Sequence, residues 1–528
     1  MKNIFDFIKN NLKYLAIPLL IVVIYFSLFY RLGYENINVD QFLWYERTEK
    51  FFKAIQDGKF KNTYQQYHPG VTLMYLIGLG QFSYKTFTGD ESGFIDVPYQ
   101  NFWLYNFHTK LYVVLFCLAI ILLSTFLIFK ITKSRKFAFI FLFLLMMESY
   151  YVGVLRNLHM DGLVSVLIFS SVLSFYVACS EKKVKYFVLA GVLTGLGLLT
   201  KSVALITFLF CFLIFIFFFF KGKGYRIKYL LLGLMWVVIS VTMFFALFPA
   251  MWVQPGKTIK KIVNDGVVET GVSGAGFKHY IGGKMVVDPG ETFYVNVLKF
   301  RVTPVLQFLV TLYFVFFLAD LITKRKNDGG LLLFLSVLFF AIYVFAFTKM
   351  GKKTDRYLSS VYPFLAFVGP YVLYRVFGFL ESKRVFIGIK IILFLIMLVP
   401  FSYYVWNANA IKPYYMAYYN DFFGGIPEAE KVIYLNQGGI AAYEINSFLN
   451  TLNLPDDPQI AIRSKKEVRR VSKYELHYPD VLKIGTYDVA VVPLQRDNEF
   501  KKNLDAEHVI KIKGYDYWKI YFRSEFLK

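Results

Sequence analysis

The stretch "SEKKVKYFVLAGVLTGLGLLTKSVALITFLFCFLIFIFFFFKGKGYRIK", residues 180–228, holds two apolar runs, 187–199 and 203–220, parted by a short break at Lys201 and bracketed by two basic loops. The second run is long enough to cross a hydrocarbon core, which takes about 20 residues of helix. The first is shorter and rich in glycine. Short cytoplasmic loops collect Lys and Arg, so both ends of this pair belong inside and residues 200–202 belong outside. The stretch therefore reads as a membrane hairpin with one lysine at its outer tip.

The same pattern extends along the chain. Further apolar runs lie at 14–30, 110–130, 137–153, 162–180, 229–249, 303–322, 331–348, 358–379 and 385–405. Together they give eleven candidate spans, and a run at 70–84 suits an interfacial helix. The expected fold is an α-helical polytopic membrane protein of about 11–13 transmembrane helices. Its 57% hydrophobic residues and 59 phenylalanines exceed what a soluble core buries. The first run follows Lys2, Lys9 and Lys13 and ends without a small-residue cleavage site, so it reads as a retained anchor with a cytoplasmic N-terminus.

Counting alternately from that end, the inner loops are "KITKSRK" (130–136), "SEKKVKY", "KGKGYRIK", "TKRKNDGG" (323–330) and "ESKR" (381–384). All are basic, and a missed span would have inverted the pattern downstream. The outer segments are then 31–109, 154–161, 200–202, 250–302, 349–357 and everything after 406. Residues 1–406 read as the membrane domain, with long outer loops at 31–109 and 250–302. Residues 407–528 read as a small extracytoplasmic α/β domain, with short β-rich segments such as "YDVAVVPL". That tail has 17 Lys and Arg against 16 Asp and Glu, so the net charge of +23 belongs almost wholly to the membrane part. Such basicity suits membrane lipid and gives no reason to expect nucleic acid. Cys117, Cys179 and Cys211 lie inside apolar runs and read as small hydrophobes.

One outer segment breaks the charge rule. "AFTKMGKKTDRYLSS", residues 346–360, carries Lys349, Lys352, Lys353 and Arg356 on the side where basic residues should be scarce. An anion at the outer surface supplies a reason, since ammonium and guanidinium groups bind phosphate. On the same side lie Asp40, His68 and the turn "LRNLHMD", with Arg156, His159 and Asp161. Taken singly, each has a plain structural reading: Asp161 as a helix cap, His68 in a helix-start turn, Asp40 as a solvated loop acid. Together, carboxylates and a phosphate-binding patch at one membrane face suit transfer of a sugar from a polyprenyl phosphate. An acceptor hydroxyl needs a base and the departing phosphate needs positive charge.

The motifs "NVDQFLWYERTEKFF", "YHPG", "LRNLHMDGLVS", "GLGLLTK" and "KTDRYLSSVYPFL", in this order, resemble those of the GT-C membrane glycosyltransferases related to protein O-mannosyltransferases and aminoarabinose transferases. The resemblance runs from residue 30 to about 450 and includes "KHYIGGKMVVDPGETFYVNVLKFRVTP" (278–304) and "YYNDFFGGIPEA" (418–429). It implies Asp40 and Asp161 as the catalytic carboxylates, Asp40 as base and Asp161 for positioning or metal, and Arg356, Lys201, Arg156, His68 and Tyr357 as contacts of the donor phosphate, to which the basic cluster adds Lys349. It further implies a divalent cation, Mg or Mn, between Asp40 and Asp161, although no ligand spacing requires one. Gln41 stands where a second acid is common, and Gly70 where a second proline is common, so neither mannose nor a protein acceptor is implied.

His279 and Tyr280, in the glycine-rich 271–283 loop, are candidates for an acceptor contact or lid. Glu46, Arg47, Glu49 and Lys50 read as one solvated face of an amphipathic helix. The competing expectation is a transporter or flippase of lipid-linked saccharides. It calls for charges at mid-bilayer depth in several spans, whereas Glu148 is the one clearly intramembrane acid and Asp320 falls at an inner boundary.

Overall fold

The computed structural model describes residues 17–93, 97–270, 279–322, 330–381, 402–435, 439–462, 472–477, 487–493 and 504–527. Its membrane part is a helical bundle: α1 (Ile17–Phe29), α2 (Gln41–Gln56), α3 (Val71–Thr88), α4 (Phe102–Thr132), α5 (Arg135–Met147), α6 (Ser149–Arg156), α7 (Met160–Glu181), α8 (Val184–Thr200), α9 (Ser202–Lys221), α10 (Arg226–Ala246), α11 (Ala250–Val253), α12 (Pro255–Thr270), α13 (Phe293–Arg301), α14 (Pro304–Ile322), α15 (Gly330–Thr348) and α16 (Tyr362–Glu381). A 3-10 turn, Asp355–Val361, leads into α16.

Among the described residues six helices are long and apolar enough to span alone: α4, α7, α9, α10, α15 and α16 with its leading turn. The runs expected at 137–153 and 303–322 take a different form. The first divides into α5 and α6, bent by 76° at Glu148; the second, α14, follows α13 across a bend of 116°. The two breaks meet, because the Glu148 carboxylate accepts the Thr303 N–H (3.2 Å), the Thr303 hydroxyl and the Tyr404 hydroxyl (3.0 Å). Glu148 thereby caps the start of α14, which accounts for an acid at that depth. α1 and α8 are shorter apolar helices, and most of the run at 385–405 lies outside the described residues.

α7 is the central helix and is buried along almost its whole length. Small residues let its neighbours close on it: Ser171 donates to the Ala190 carbonyl at 3.1 Å and meets Thr194 at 2.6 Å. The glycines of the short fifth run have the same cause. A Cβ at Gly191 would lie 2.7 Å from Ile239, and one at Gly195 2.5 Å from Met243, so α8 and α10 touch backbone to side chain.

After the helix at 402–411, the chain forms α17 (Gly425–Ala429), α18 (Ala442–Leu449) and a five-stranded mixed sheet. A two-stranded hairpin, β1 (His279–Ile281) and β2 (Lys284–Val286), precedes that sheet in the chain. The sheet order is β4-β3-β5-β7-β6, from β3 (Ile460–Ile462), β4 (Leu476–His477), β5 (Val489–Pro493), β6 (Ala506–Ile512) and β7 (Tyr515–Phe522). β3 pairs parallel with β4 and β5, and β7 pairs antiparallel with β5 and β6. This region reaches back to the segment between α1 and α2. Ile37 N–H donates to the Gly439 carbonyl at 3.0 Å, and Ala441 N–H donates to the Glu35 carbonyl at 3.1 Å. Trp518, buried on β7, donates its indole N–H to the Ile440 carbonyl at 2.9 Å. The segment leading to Asp40 is thus held from the C-terminal side.

Candidate active site

Four elements far apart in sequence deliver one charged cluster. Asp40 caps the start of α2, its N–H bonded to Asn38 Oδ1 at 3.1 Å. Asp161 sits in the first turn of α7, where a helix N-terminus favours negative charge. Lys201 links α8 to α9 in extended conformation, and Arg356 lies in the turn before α16. The guanidinium of Arg356 spans both acids, with Nη2 3.0 Å from Asp40 Oδ2 and Nε 3.3 Å from Asp161 Oδ2. Lys201 Nζ donates to Asp161 Oδ1 at 2.6 Å. His159 lies between the acids, Nδ1 2.8 Å from Asp161 Oδ2 and Nε2 3.5 Å from Asp40 Oδ2.

Asp161 is almost wholly buried, whereas Asp40 is about one-third exposed and faces the opening. Burial alone would raise the pKa of Asp40; the His159 hydrogen bond and the Arg356 charge outweigh it and hold the carboxyl well below the usual carboxylate range. Asp40 is therefore ionised at neutral pH.

His68 and Tyr357 complete the rim. Lys201 Nζ stands 4.4 Å from the Tyr357 ring centroid, a cation-π contact. His68 Nδ1 is 3.3 Å from Ser202 Oγ, and burial followed by the Lys201 charge pushes its pKa well down, so the ring is neutral. The glycine of "HPG" is required by geometry. Gly70 has φ +62°, and a Cβ there would lie 2.3 Å from the Trp44 ring.

Two expected phosphate contacts are placed elsewhere. Arg156 is fully buried, donates to the carbonyls of Ser27 (3.0 Å) and Tyr30 (2.8 Å), and lies 3.5 Å from Glu35. It caps the carbonyl end of α1 and so does not reach the cluster. Burial would raise the Glu35 pKa, but Lys110 and Arg156 hold it below its usual value. Lys349 is exposed and paired with Glu291 at 2.5 Å. His279 is buried and stacks on Tyr434 at 4.7 Å, and Tyr434 donates to Asp355 at 3.0 Å, so His279 stands behind the Arg356 turn. Tyr280 is half-buried beside it, and residues 271–278 of the expected lid lie outside the described residues.

Sequence reading assigned no role to Arg301. It is fully buried and donates to Asp355 (2.7 Å), to the Met416 and Tyr418 carbonyls (3.1 and 2.6 Å) and to the Tyr419 hydroxyl (2.8 Å). Asp355 in turn accepts the Arg356 N–H at 2.8 Å. The "KFRVTP" context gave one signal, a cation beside a helix break.

The donor set does not suit a resident Mg or Mn ion. Both carboxylates already hold cationic side chains, and a dication would stand against Arg356 and Lys201. Among the described residues no group of three or more His, Cys, Asp and Glu has metal-binding geometry. A separate cavity of about 750 Å³ between α2 and α3, lined in part by Glu49, Phe52, Tyr75 and Tyr105, includes none of the cluster residues.

Residues 96–252 match the family described as dolichyl-phosphate-mannose-protein mannosyltransferase, a segment that includes His159, Asp161 and Lys201. Over that segment the chain is similar to this family of membrane mannosyltransferases. The match covers less than a third of the chain and leaves Asp40, His68 and Arg356 outside it. Among solved structures, ArnT from Cupriavidus metallidurans bound to undecaprenyl phosphate aligns over 97% of this chain and 98% of its own, at 12% identity and a TM-score of 0.49. The apo form of that protein aligns over the same shares at 14% identity and a TM-score of 0.47. No curated protein sequence matches this chain.

Proposed function

We propose that the chain transfers a sugar, with inversion, from a polyprenyl-phosphate donor to an acceptor outside the cytoplasm. The observation that carries this reading is the single guanidinium of Arg356 spanning Asp40 and Asp161 at 3.0 and 3.3 Å. The matched family acts on a lipid phosphate by its description, which supports the donor class. Asp40 takes the acceptor hydroxyl proton as that oxygen bonds to the anomeric carbon. The bond from that carbon to the phosphate oxygen breaks, and its electron pair stays on the phosphate. Once protonated, Asp40 no longer holds Arg356, and the guanidinium charge is released toward the phosphate as charge develops there. Asp161, tied to Lys201 and His159, fixes the other end of the guanidinium.

Purified protein in nanodiscs, given a panel of polyprenyl-phosphate sugars, is expected to consume one donor. EDTA is expected to leave the rate within about twofold, because no step needs a cation. Absence of turnover with every donor, together with passage of lipid-linked saccharide across liposomes, overturns this reading in favour of transport.

The reading needs an outward-facing cluster and a cytoplasmic N-terminus. Lys130 pairs with Glu181 at 3.1 Å, joining two of the basic loops at one end of the bundle. The three native cysteines are buried, so single added cysteines report alone. A membrane-impermeant maleimide on intact cells is expected to label Lys59→Cys and spare Lys185→Cys; the reverse pattern inverts the topology.

A further inference from the structure

α2 carries a cation that the cluster above does not use. Asp40, Trp44 and Arg47 follow one another at helical spacing along one face of α2. Trp44 is buried, with its ring against Gly70 of the His68-Pro69-Gly70 turn. The Arg47 guanidinium lies over that ring, 4.8 Å from its centroid. Arg156, Arg301, Arg356 and Arg375 each donate hydrogen bonds to carbonyls or carboxylates. Arg47 is half-buried yet makes no ion pair or hydrogen bond among the described residues; the charges of Asp40 and Glu46 act on it only through space. A guanidinium with one face on an indole and its N–H edge open matches a phosphate.

The charges of the site call for such a group. Within the cluster Asp40 and Asp161 cancel Arg356 and Lys201 and His68 is neutral, while Lys352 acts on His68 and Lys201 through space. A glycosyl phosphate diester brings one negative charge. The monoester left after transfer carries up to two, since its second ionisation falls at a pKa of about 6. Protonation of Asp40 supplies one positive charge in step with the second negative one. One negative charge therefore persists before and after transfer. We propose that Arg47 binds the lipid phosphate through both states, a role that rests on the donor reading above.

A group that binds donor and product alike changes KM and product affinity and leaves kcat nearly untouched. In nanodiscs of zwitterionic lipid, Arg47→Ala is expected to raise the donor KM and the inhibition constant of undecaprenyl phosphate about tenfold. Its kcat is expected to stay within about twofold of wild type, and Arg47→Lys to recover most of the loss. Undecaprenol, which lacks the phosphate, is expected to act equally on wild type and variant. Inorganic phosphate tests the headgroup without the chain and is expected to compete weakly with the donor in wild type and less in Arg47→Ala. Unchanged KM and inhibition constants, or a fall in kcat at constant KM, overturn the role. If no sugar is turned over, direct binding of undecaprenyl phosphate against undecaprenol still reads Arg47, so the donor reading and this one fail separately.

Discussion

Asp40→Asn is expected to lower kcat by about a hundred- to ten-thousand-fold, the span that removal of a general base produces. The substitution keeps the shape of the side chain and an oxygen for Arg356, so the cluster survives while the proton acceptor is lost. The free enzyme holds Asp40 well below the usual carboxylate range, which by itself makes a weak base. A bound donor changes this, because its phosphate shares Arg356 with Asp40 and weakens that pair before the proton moves, so the carboxyl is more basic when a proton must be taken; release of Arg356 is complete only on protonation. The sign follows: the acid limb of kcat/KM lies at a lower pH than the acid limb of kcat, since the first reports free enzyme and the second the complex. Steady-state rates against pH, with folding checked by size exclusion and thermal melting, measure both. An Asn variant within fivefold of wild type removes Asp40 from the base role.

The spans were legible because hydropathy and loop charge are local properties that a membrane imposes segment by segment. The two kinks were not, although each left a trace. Pro304 follows Thr303 at the first position of α14, a usual helix start, and Glu148 stood out as an acid inside an apolar run. Neither trace says that the two breaks meet, since that contact joins residues 155 positions apart. The site divides in the same way. A basic cluster where basic residues were expected to be scarce pointed to Arg356, polar residues at the ends of spans pointed to Asp40, His68 and Asp161, and the family resemblance pointed to Lys201. Sidedness does not tell where a long side chain turns, so Arg156 and Lys349 counted with the rest. One turns into the carbonyl end of α1 and the other out to Glu291. Arg47 went the opposite way, grouped with a solvated face because its neighbours Glu46 and Lys50 are charged. Its stacking on Trp44 depends on the Gly70 turn closing against α2, which is a tertiary fact.

Arg301→Ala is expected to cause a far larger loss of stability than removal of any surface charge. Its guanidinium is inaccessible to water and lies 3.8 Å from the Tyr419 ring centroid and 4.3 Å from that of Tyr150. Truncation strands the buried Asp355 carboxylate and frees the Met416 and Tyr418 carbonyls. Breaking one side of a buried pair in this way costs about 3–5 kcal/mol. The exposed Lys349–Glu291 pair makes the control, because Lys349→Ala removes a charge that water screens. Melting of both variants in detergent is expected to show a clear drop for Arg301→Ala and almost none for Lys349→Ala. Arg301→Lys is expected to resemble the alanine variant, because one ammonium cannot serve four acceptors on two segments at once. The double variant Arg301→Met with Asp355→Asn separates stability from activity. It leaves no unpaired buried charge, so melting recovers toward wild type; residue 355 keeps an oxygen for the Arg356 N–H but loses its charge and its tether to residue 301, so turnover stays low. Full activity in the double variant would show that Arg356 needs no such anchor, and melting unchanged in Arg301→Ala would show that the Asp355 carboxylate finds water.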